Sequence, residues 1–400
     1  MQTYDAVVVG AGYIGCAVAH ALTAAGLRTV LLDQGQVMGG ASRANFGNIQ
    51  VQDAELAHSL PMVTAGFRRF ADLEQELDCS VGYRRQGSLL LIETESQWQV
   101  MAARLPALHA AGIAAELVPA ARLPELEPLL DPHVALGACY YPNEAQVSPF
   151  GLMWAYLRQA RKRGLTVCAD TRITGFDIGG GRVRGVRTQG EPFSAGAVVL
   201  ATGAWTPALG RLLGREWAIP HVHGQALVTE ACELRLNAHV SSAAFFEEAQ
   251  VGPGQGGPEA ALAVGQSREG HFLLGEAAQV TEDLGRHASR EGGSAIARLI
   301  SRCLPMLQCL RVLRAWAAPV AFTEDGLPFL GPVAGLPGLI LATAFKSTVI
   351  VTPLVGDTVA QLLVSGRSDL DLTPFSPDRP ANVGHDKTIP PSTSMACPVM

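Results

Sequence analysis

Residues 5–9 form a short, mostly apolar run, the pattern of a strand buried on both faces of a parallel sheet. From Tyr13 to Ala25 small and apolar residues continue without alternation, which predicts a helix closed by Gly26. Residues 29–32 read as the second strand. Between 51 and 146 the texture turns helical, with helices predicted over 64–77 and 95–111 and a strand over 89–92 between them. From Pro149 the α/β alternation returns as a helix over 150–164 and a strand over 165–169. Residues 172–177 and 182–187 then predict a hairpin turning on three consecutive glycines, Gly179 to Gly181. A buried strand follows over 197–201, strand-like pieces fill 221–315, and the final signal is a strand over 339–342 leading into a helix over 348–365.

This pattern predicts an α/β fold with α+β mixing. A Rossmann-like cofactor domain is assembled from 1–50, 146–222 and 315–375, and an inserted substrate domain from 51–145 and 223–314 is built on an antiparallel sheet. Past Pro374, Pro, Ser and Thr dominate, so 376–400 is expected to be a flexible tail.

Composition narrows the class of function. With 48% hydrophobic and 16% charged residues the chain is globular, and a net charge of −6 gives no general attraction to nucleic acid or anionic lipid. A secretory signal is not expected, because the first strand begins almost at once. The most apolar stretch, 338–356, is interrupted by Lys346, several Thr and Pro353, so no spanning helix is expected, while peripheral membrane attachment stays open. The eight cysteines (Cys16, Cys79, Cys139, Cys168, Cys232, Cys303, Cys309 and Cys397) form no C-x-x-C pair. No metal or iron–sulfur site is expected within the chain, and the usage suits a reducing cytoplasm.

Gly10-Ala-Gly12-Tyr-Ile-Gly15 follows the first strand and opens the first helix, the context a dinucleotide fingerprint requires. Gly10 permits the turn, Gly12 lets backbone approach a pyrophosphate, and Gly15 lets helix and strand pack closely. The helix start then offers unpaired N–H groups and a positive dipole end to the phosphates. Asp33 ends the next strand, placed to bind a ribose hydroxyl. A second match to the pattern, Gly252 to Gly257, lacks a leading strand and carries Pro253, so it reads as a loop. The small, polar stretch from Gly39 to Asn48 and the turn Ala201-Thr-Gly-Ala-Trp205 offer further donors and close backbone approach, which favours FAD over NAD.

These segments, with Ser42 to Gly47, Gln146 to Phe150, Gly224-Gln225, Arg314-Ala-Trp316 and Asp325 to Gly331, resemble the glycine oxidase and D-amino-acid dehydrogenase group of the D-amino-acid oxidase superfamily. The nearest resemblance is to the FAD-bearing subunits of opine oxidase, D-hydroxyproline dehydrogenase and hydrogen cyanide synthase. It implies FAD and hydride transfer from the substrate α-carbon to flavin N5, and the absence of a cysteine between Cys309 and Cys397 predicts that the FAD is non-covalent. The implied substrate is a small amine or an amino acid, such as a D-amino acid, opine, hydroxyproline or glycine. A glycine-oxidising subunit of the hydrogen cyanide synthase type, and a flavin-bearing electron-transfer or assembly subunit, are the alternatives. Partner subunits, including iron–sulfur chains, are implied as well.

The cofactor contacts expected are Gly10, Ala11, Gly12, Tyr13, Ile14, Gly15, Asp33 and Gln34 for the nucleotide. Ser42, Arg43, Ala44, Asn45, Gly47, Asn48, Ile49, Ile173, Thr202, Gly203 and Trp205 follow, and Gly331, Phe345, Lys346, Ser347, Thr348 and Val349 complete the set, the last five with 325–331 lining the isoalloxazine. Lys346, Arg43 and Asn48 are the catalytic candidates.

The chain departs from the family pattern in three places. Many relatives carry an arginine shortly after the tryptophan that clamps the substrate carboxylate, and its position falls on Val320. Three readings stay open: Lys346 or Arg43 takes over the anchoring, the substrate lacks an α-carboxylate, or turnover of amino acids has been lost. A Gly-His pair common in relatives is replaced by Thr343-Ala344. No cysteine lies between Cys309 and Cys397, where some relatives attach flavin covalently. His221 and His223 are read as structural, and Phe245, Phe246 and Glu247 as either pocket walls or an ordinary strand.

Overall fold

The computed structural model describes residues 3–244 and 259–380. The decoy glycines 252–257 and Phe245, Phe246 and Glu247 lie outside the described residues. Two eight-stranded sheets organise the chain. In the first, Thr3–Val9 pairs in parallel with Thr29–Leu32 on one side and Phe193–Leu200 on the other. Thr166–Cys168 extends one edge and Leu339–Thr343 the other half of Phe193–Leu200, both in parallel. The hairpin Ile173–Gly179 and Arg182–Thr188 joins as antiparallel strands. Both faces of the parallel strands are buried, which is why their sequences read as unbroken apolar runs.

Tyr13–Ala24, Pro149–Lys162 and Thr348–Ser365 cover one face of this sheet. Among the described residues Thr348–Ser365 is the one helix long and apolar enough to cross a membrane, and 56% of it is buried inside the fold. It packs backbone to backbone at two glycines. A Cβ on Gly356 would stand 2.8 Å from the Ala17 carbonyl oxygen, and one on Gly66 would stand 2.4 Å from that of Ile350.

The predicted helix over 64–77 is two helices, Ser59–Arg69 and Leu73–Glu76. The first begins earlier than its apolar spacing indicates because the Glu55 carboxylate accepts from the N–H groups of Ala57, His58 and Ser59 at 2.7–3.0 Å.

The second sheet carries the strand order Val312–Ala321, His221–Ala231, His271–Val280, Glu259–Gln266, His239–Ser242, Ser88–Ile92, Gly137–Tyr141, Glu116–Pro119. All pairs are antiparallel except His239–Ser242 with Ser88–Ile92. The amphipathic helix Arg290–Cys303 buries Ile296 and Ile300 against one face. On this sheet Trp316 meets Phe46, rings edge to face at 6.4 Å. Past Phe375 the chain stays packed: Arg379 is clasped by Asp325 at 2.6 and 2.9 Å, so residues 376–380 belong to the fold and not to the tail expected from 376.

Candidate active site

The fingerprint loop is as tight as chain sterics permit. Gly10 has φ +100°, and a Cβ there would meet the Ala201 carbonyl oxygen at 2.4 Å. A Cβ on Gly15 would lie 1.7 Å from the Gly10 carbonyl oxygen. Asp33 braces the loop with both oxygens, accepting from Ala11 N at 2.7 Å and Gly35 N at 2.9 Å. Ser42 reaches the helix start, where its Oγ accepts from Tyr13 N at 3.0 Å.

Gly12, Tyr13, Ser42 and Ala201 form one wall of a cleft that also takes in Ile14, Asn45, Gly203, Val320, Thr343, Phe345 and Thr348. A Cβ on Gly12 would stand 2.7 Å from Ser42 Oγ and narrow the cleft that both residues line. Such a cradle fits the ADP half of FAD, with Gly12 and the N–H groups at the helix start facing the diphosphate. Ser42→Ala is expected to leave Tyr13 N–H unsatisfied and weaken FAD retention about five- to tenfold, the scale of one lost hydrogen bond. Flavin fluorescence released on dilution measures this, and unchanged retention would remove Ser42 from the cradle.

The far wall depends on a strained turn. Ala344 and Ser347 both adopt left-handed backbone, φ +58° and +41°, in the four residues between the strand Leu339–Thr343 and the helix Thr348–Ser365. A chain of hydroxyls ties this turn to the 201–206 loop: Thr202 to Thr206 at 2.8 Å and Thr206 to Thr343 at 3.1 Å. Thr343, which stands at the family's glycine, is therefore a structural hydroxyl. Trp205 packs against Gly40, whose Cβ would lie 3.6 Å from its ring.

A second cleft meets the first at Asn45 and Thr348, which line both. Its walls come from Ala44, Phe46, Asn48, Gln50, Gln52 and Asp53 on one side and from the second sheet on the other. Trp316 Nε1 donates to the Ala44 carbonyl at 3.2 Å, tying the edge strand of the second sheet to the Ala41–Ala44 turn. Asn48 bonds the His239 ring at 3.0 Å, and burial pushes that imidazole down to about 4, leaving it neutral. Gln52 is set by a buried network in which Glu144 accepts from Val51 N at 2.6 Å, from Gln52 Nε2 at 3.1 Å and from Ser88. Burial pushes Glu144 up to about 7.

Of the sequence candidates, Asn48, Ala44, Ser347 and Val349 line this second cleft. Gly47, with φ +81°, turns the chain between Asn45 and Asn48 so that both face it. Ile49 and Ile173 are core residues, Gln34 is exposed beside Asp33, and Gly331 faces Leu372 and Pro377. Arg43 and Lys346 are absent from the described linings of both clefts. Lys346 is buried behind the wall, where burial lowers its ammonium to about 8 against the opposing pull of Asp53. Ser347 Oγ donates to the same Asp53 at 2.8 Å. His221 bonds the Asp283 carbonyl at 3.1 Å, and among the described residues no cluster of three His, Cys, Asp or Glu is placed to hold a metal.

Sequence reasoning did not name Asp53, His239 and Glu276 as site residues, and knew Gln225 only as part of the Gly224-Gln225 marker. Gln225, His239 and Glu276 are brought together by the ladder of the second sheet, and Asp53 joins them from the segment after Asn48–Ile49.

Comparison with known proteins agrees with this architecture. Glycine oxidase of Geobacillus kaustophilus is 26% identical over 384 residues, covering 93% of this chain and 96% of that one. Hydrogen cyanide synthase subunit HcnC of Pseudomonas aeruginosa is 28% identical, with 94% and 95% covered, and an opine oxidase subunit of Rhizobium meliloti 27%, with 95% and 98% covered. The L-proline dehydrogenase structure from P. horikoshii superposes with a TM-score of 0.83 at 22% identity over 94% of this chain and 97% of that one, and so shares the fold. The profile of the DAO family, FAD dependent oxidoreductases, matches residues 5–362, and the chain belongs to that family.

Proposed function

We propose that this protein oxidises the C–N bond of a small amine or amino acid to the imine, using non-covalent FAD. The observation that carries this reading is the junction of the two clefts at Asn45 and Thr348, so that the nucleotide cradle adjoins a mostly apolar space edged by polar side chains such as Asn48, Gln225 and Glu276. Bound FAD supplies the two-electron acceptor. The chain supplies the rest. Gly12, Ser42 and the N–H groups at Tyr13 hold the diphosphate. The helix Thr348–Ser365 points its positive end at the junction, where negative charge gathers on reduction. Asn48, Gln225 and the aromatic pair Phe46 and Trp316 orient the substrate, and the buried wall excludes water. With no cysteine between Cys309 and Cys397, the flavin is held by contacts alone.

Relatives named as subunits support partner chains; that iron–sulfur chains are among them rests on the family resemblance alone. The seven described cysteines are all free thiols, which supports work in a reducing cytoplasm.

An anaerobic titration of the purified yellow protein tests the reading. Bleaching of the visible flavin band by at least one amine or amino acid is expected. A band untouched by D-proline, hydroxyproline, glycine, opines and simple amines alike would sink it.

A further inference from the structure

The second cleft has the opposite charge from one built to hold a carboxylate. Among its described lining residues there is no lysine or arginine, and His239 is neutral. Segment 245–258, the nearest undescribed stretch in sequence, also contains no lysine or arginine. The position of the family's arginine, Val320, pairs with Val222 and lines the cofactor side.

What the cleft offers instead is acceptors. Asp53 is 3% exposed, lines the cleft, and has an Oδ2 without a hydrogen-bond partner; Gln50 Oε1 is likewise buried and unpartnered. Glu276 completes the group, and its placement is built into the sheet. On one neighbouring strand Gln225 pairs with Ala277 and Ala226 with Gly275, so Glu276 is skipped. On the other, Ala260 pairs with Ala277 and Ala263 with Gly275, and it is skipped again. A residue left out of both ladders is a bulge, a device that re-aims one side chain. This one is aimed into the cleft whose lining includes Phe46 and Trp316. Aromatic faces beside an acid make a pocket for a cation.

We propose that the cleft selects an amine without a carboxylate, binds it through Glu276, and lodges on Glu276 the proton its nitrogen must lose before oxidation. The inference rests on the amine-oxidising reading above and names its substrate class. In the proton step one N–H bond breaks and one O–H bond forms, the proton passes from ammonium to carboxylate, and no electrons change hands. In water an alkylammonium holds its proton about six pH units more tightly than a carboxylic acid. Burial, which raises the Glu276 carboxyl well above the usual glutamate range, narrows that gap. The other groups around Glu276 leave the exchange to it. Asp53 faces the buried Lys346, His239 is neutral, and the two flanking strands present Gln225 and Ala263.

The test uses the FAD-loaded enzyme and matched pairs: pyrrolidine against D- and L-proline, methylamine against glycine. Anaerobic flavin reduction is expected to be at least tenfold more efficient with the carboxylate-free member. Glu276→Gln is expected to keep its FAD and yet weaken pyrrolidine binding to the oxidised enzyme at least tenfold, read from the perturbed flavin spectrum. It should also move the pH midpoint of reduction upward by one unit or more, because substrate must then arrive as the free base. Glu276→Asp should recover part of both. Preference for the carboxylated member, or a Glu276→Gln enzyme with wild-type binding and pH midpoint, overturns this inference and leaves amine oxidation standing. Failure of every compound to reduce the flavin overturns both.

Discussion

Gly15→Val is expected to give a nearly colourless protein, retaining less than about a tenth of the wild-type FAD. The reason is a backbone clash. A Cβ at position 15 would lie 1.7 Å from the carbonyl oxygen of Gly10, and no choice of rotamer moves that first atom. Gly10 cannot retreat, because its own Cβ position is 2.4 Å from the Ala201 carbonyl oxygen on the neighbouring strand. The helix Tyr13–Ala24 must therefore lift from the sheet, and its first N–H groups leave the line on which the diphosphate would sit. Overpacking of this kind costs on the order of 1–3 kcal/mol or more. Gly15→Ala should show the same loss in milder form, since the offending atom is the Cβ. Gly26→Ala is the control: it has φ +81° but nothing within 4 Å of its Cβ position, so it should cost about 1 kcal/mol of stability and keep its colour. The ratio of flavin to protein absorbance after gel filtration decides the matter. A Gly15→Val protein with full flavin would mean that the fingerprint loop is not the nucleotide cradle.

That loop was legible in the sequence because its chemistry is local. A strand, a turn, a helix start and an acid at the end of the next strand lie within 33 residues; Gly10 and Gly15 answer to contacts inside that unit or with Ala201, and Gly12 to Ser42 soon after it. The parallel strands were legible for a similar reason, since burial on both faces writes itself as an apolar run. The cleft beyond was not. His239 and Glu276 come from distant strands of a sheet in which His239–Ser242 runs parallel to Ser88–Ile92, and Asp53 comes from the segment after Asn48–Ile49. Pair registers decide such a constellation, and a bulge that skips one residue leaves no mark on composition. Lys346 shows a middle case. Its interruption of the most apolar stretch pointed to a special environment, but the direction of its side chain depends on the left-handed turn at Ser347, which no local pattern announces.

Arg379→Ala is expected to destabilise the protein by about 3–5 kcal/mol, because it strands a buried carboxylate. The guanidinium grips Asp325 with two nitrogens, at 2.6 and 2.9 Å, with side-chain exposures of 5% and 12%, so solvent screens the pair little. It also donates to the carbonyls of Leu327, Pro328 and Ser376 and lies 4.1 Å from the centre of the Phe329 ring. One side chain thus ties the C-terminal segment to the turn that precedes the strand Phe329–Pro332, the neighbour of the strand leading into the cofactor wall. Truncation after Phe375 should reproduce the defect. Burial pushes the Asp325 carboxyl up, but the hydrogen bonds and charge of Arg379 outweigh it and hold the group below its usual range. A carboxyl depressed in the folded state stabilises it at pH values above the unfolded range, near 4, and the benefit is lost as pH falls through the lower folded value. Wild type should therefore lose, on acidification below about pH 4, a share of stability that Arg379→Ala has already lost at neutral pH. Melting temperatures across that range, measured on both proteins, should converge as the pH drops. Parallel curves would show that the pair holds the segment by shape and apolar contact, with charge contributing nothing.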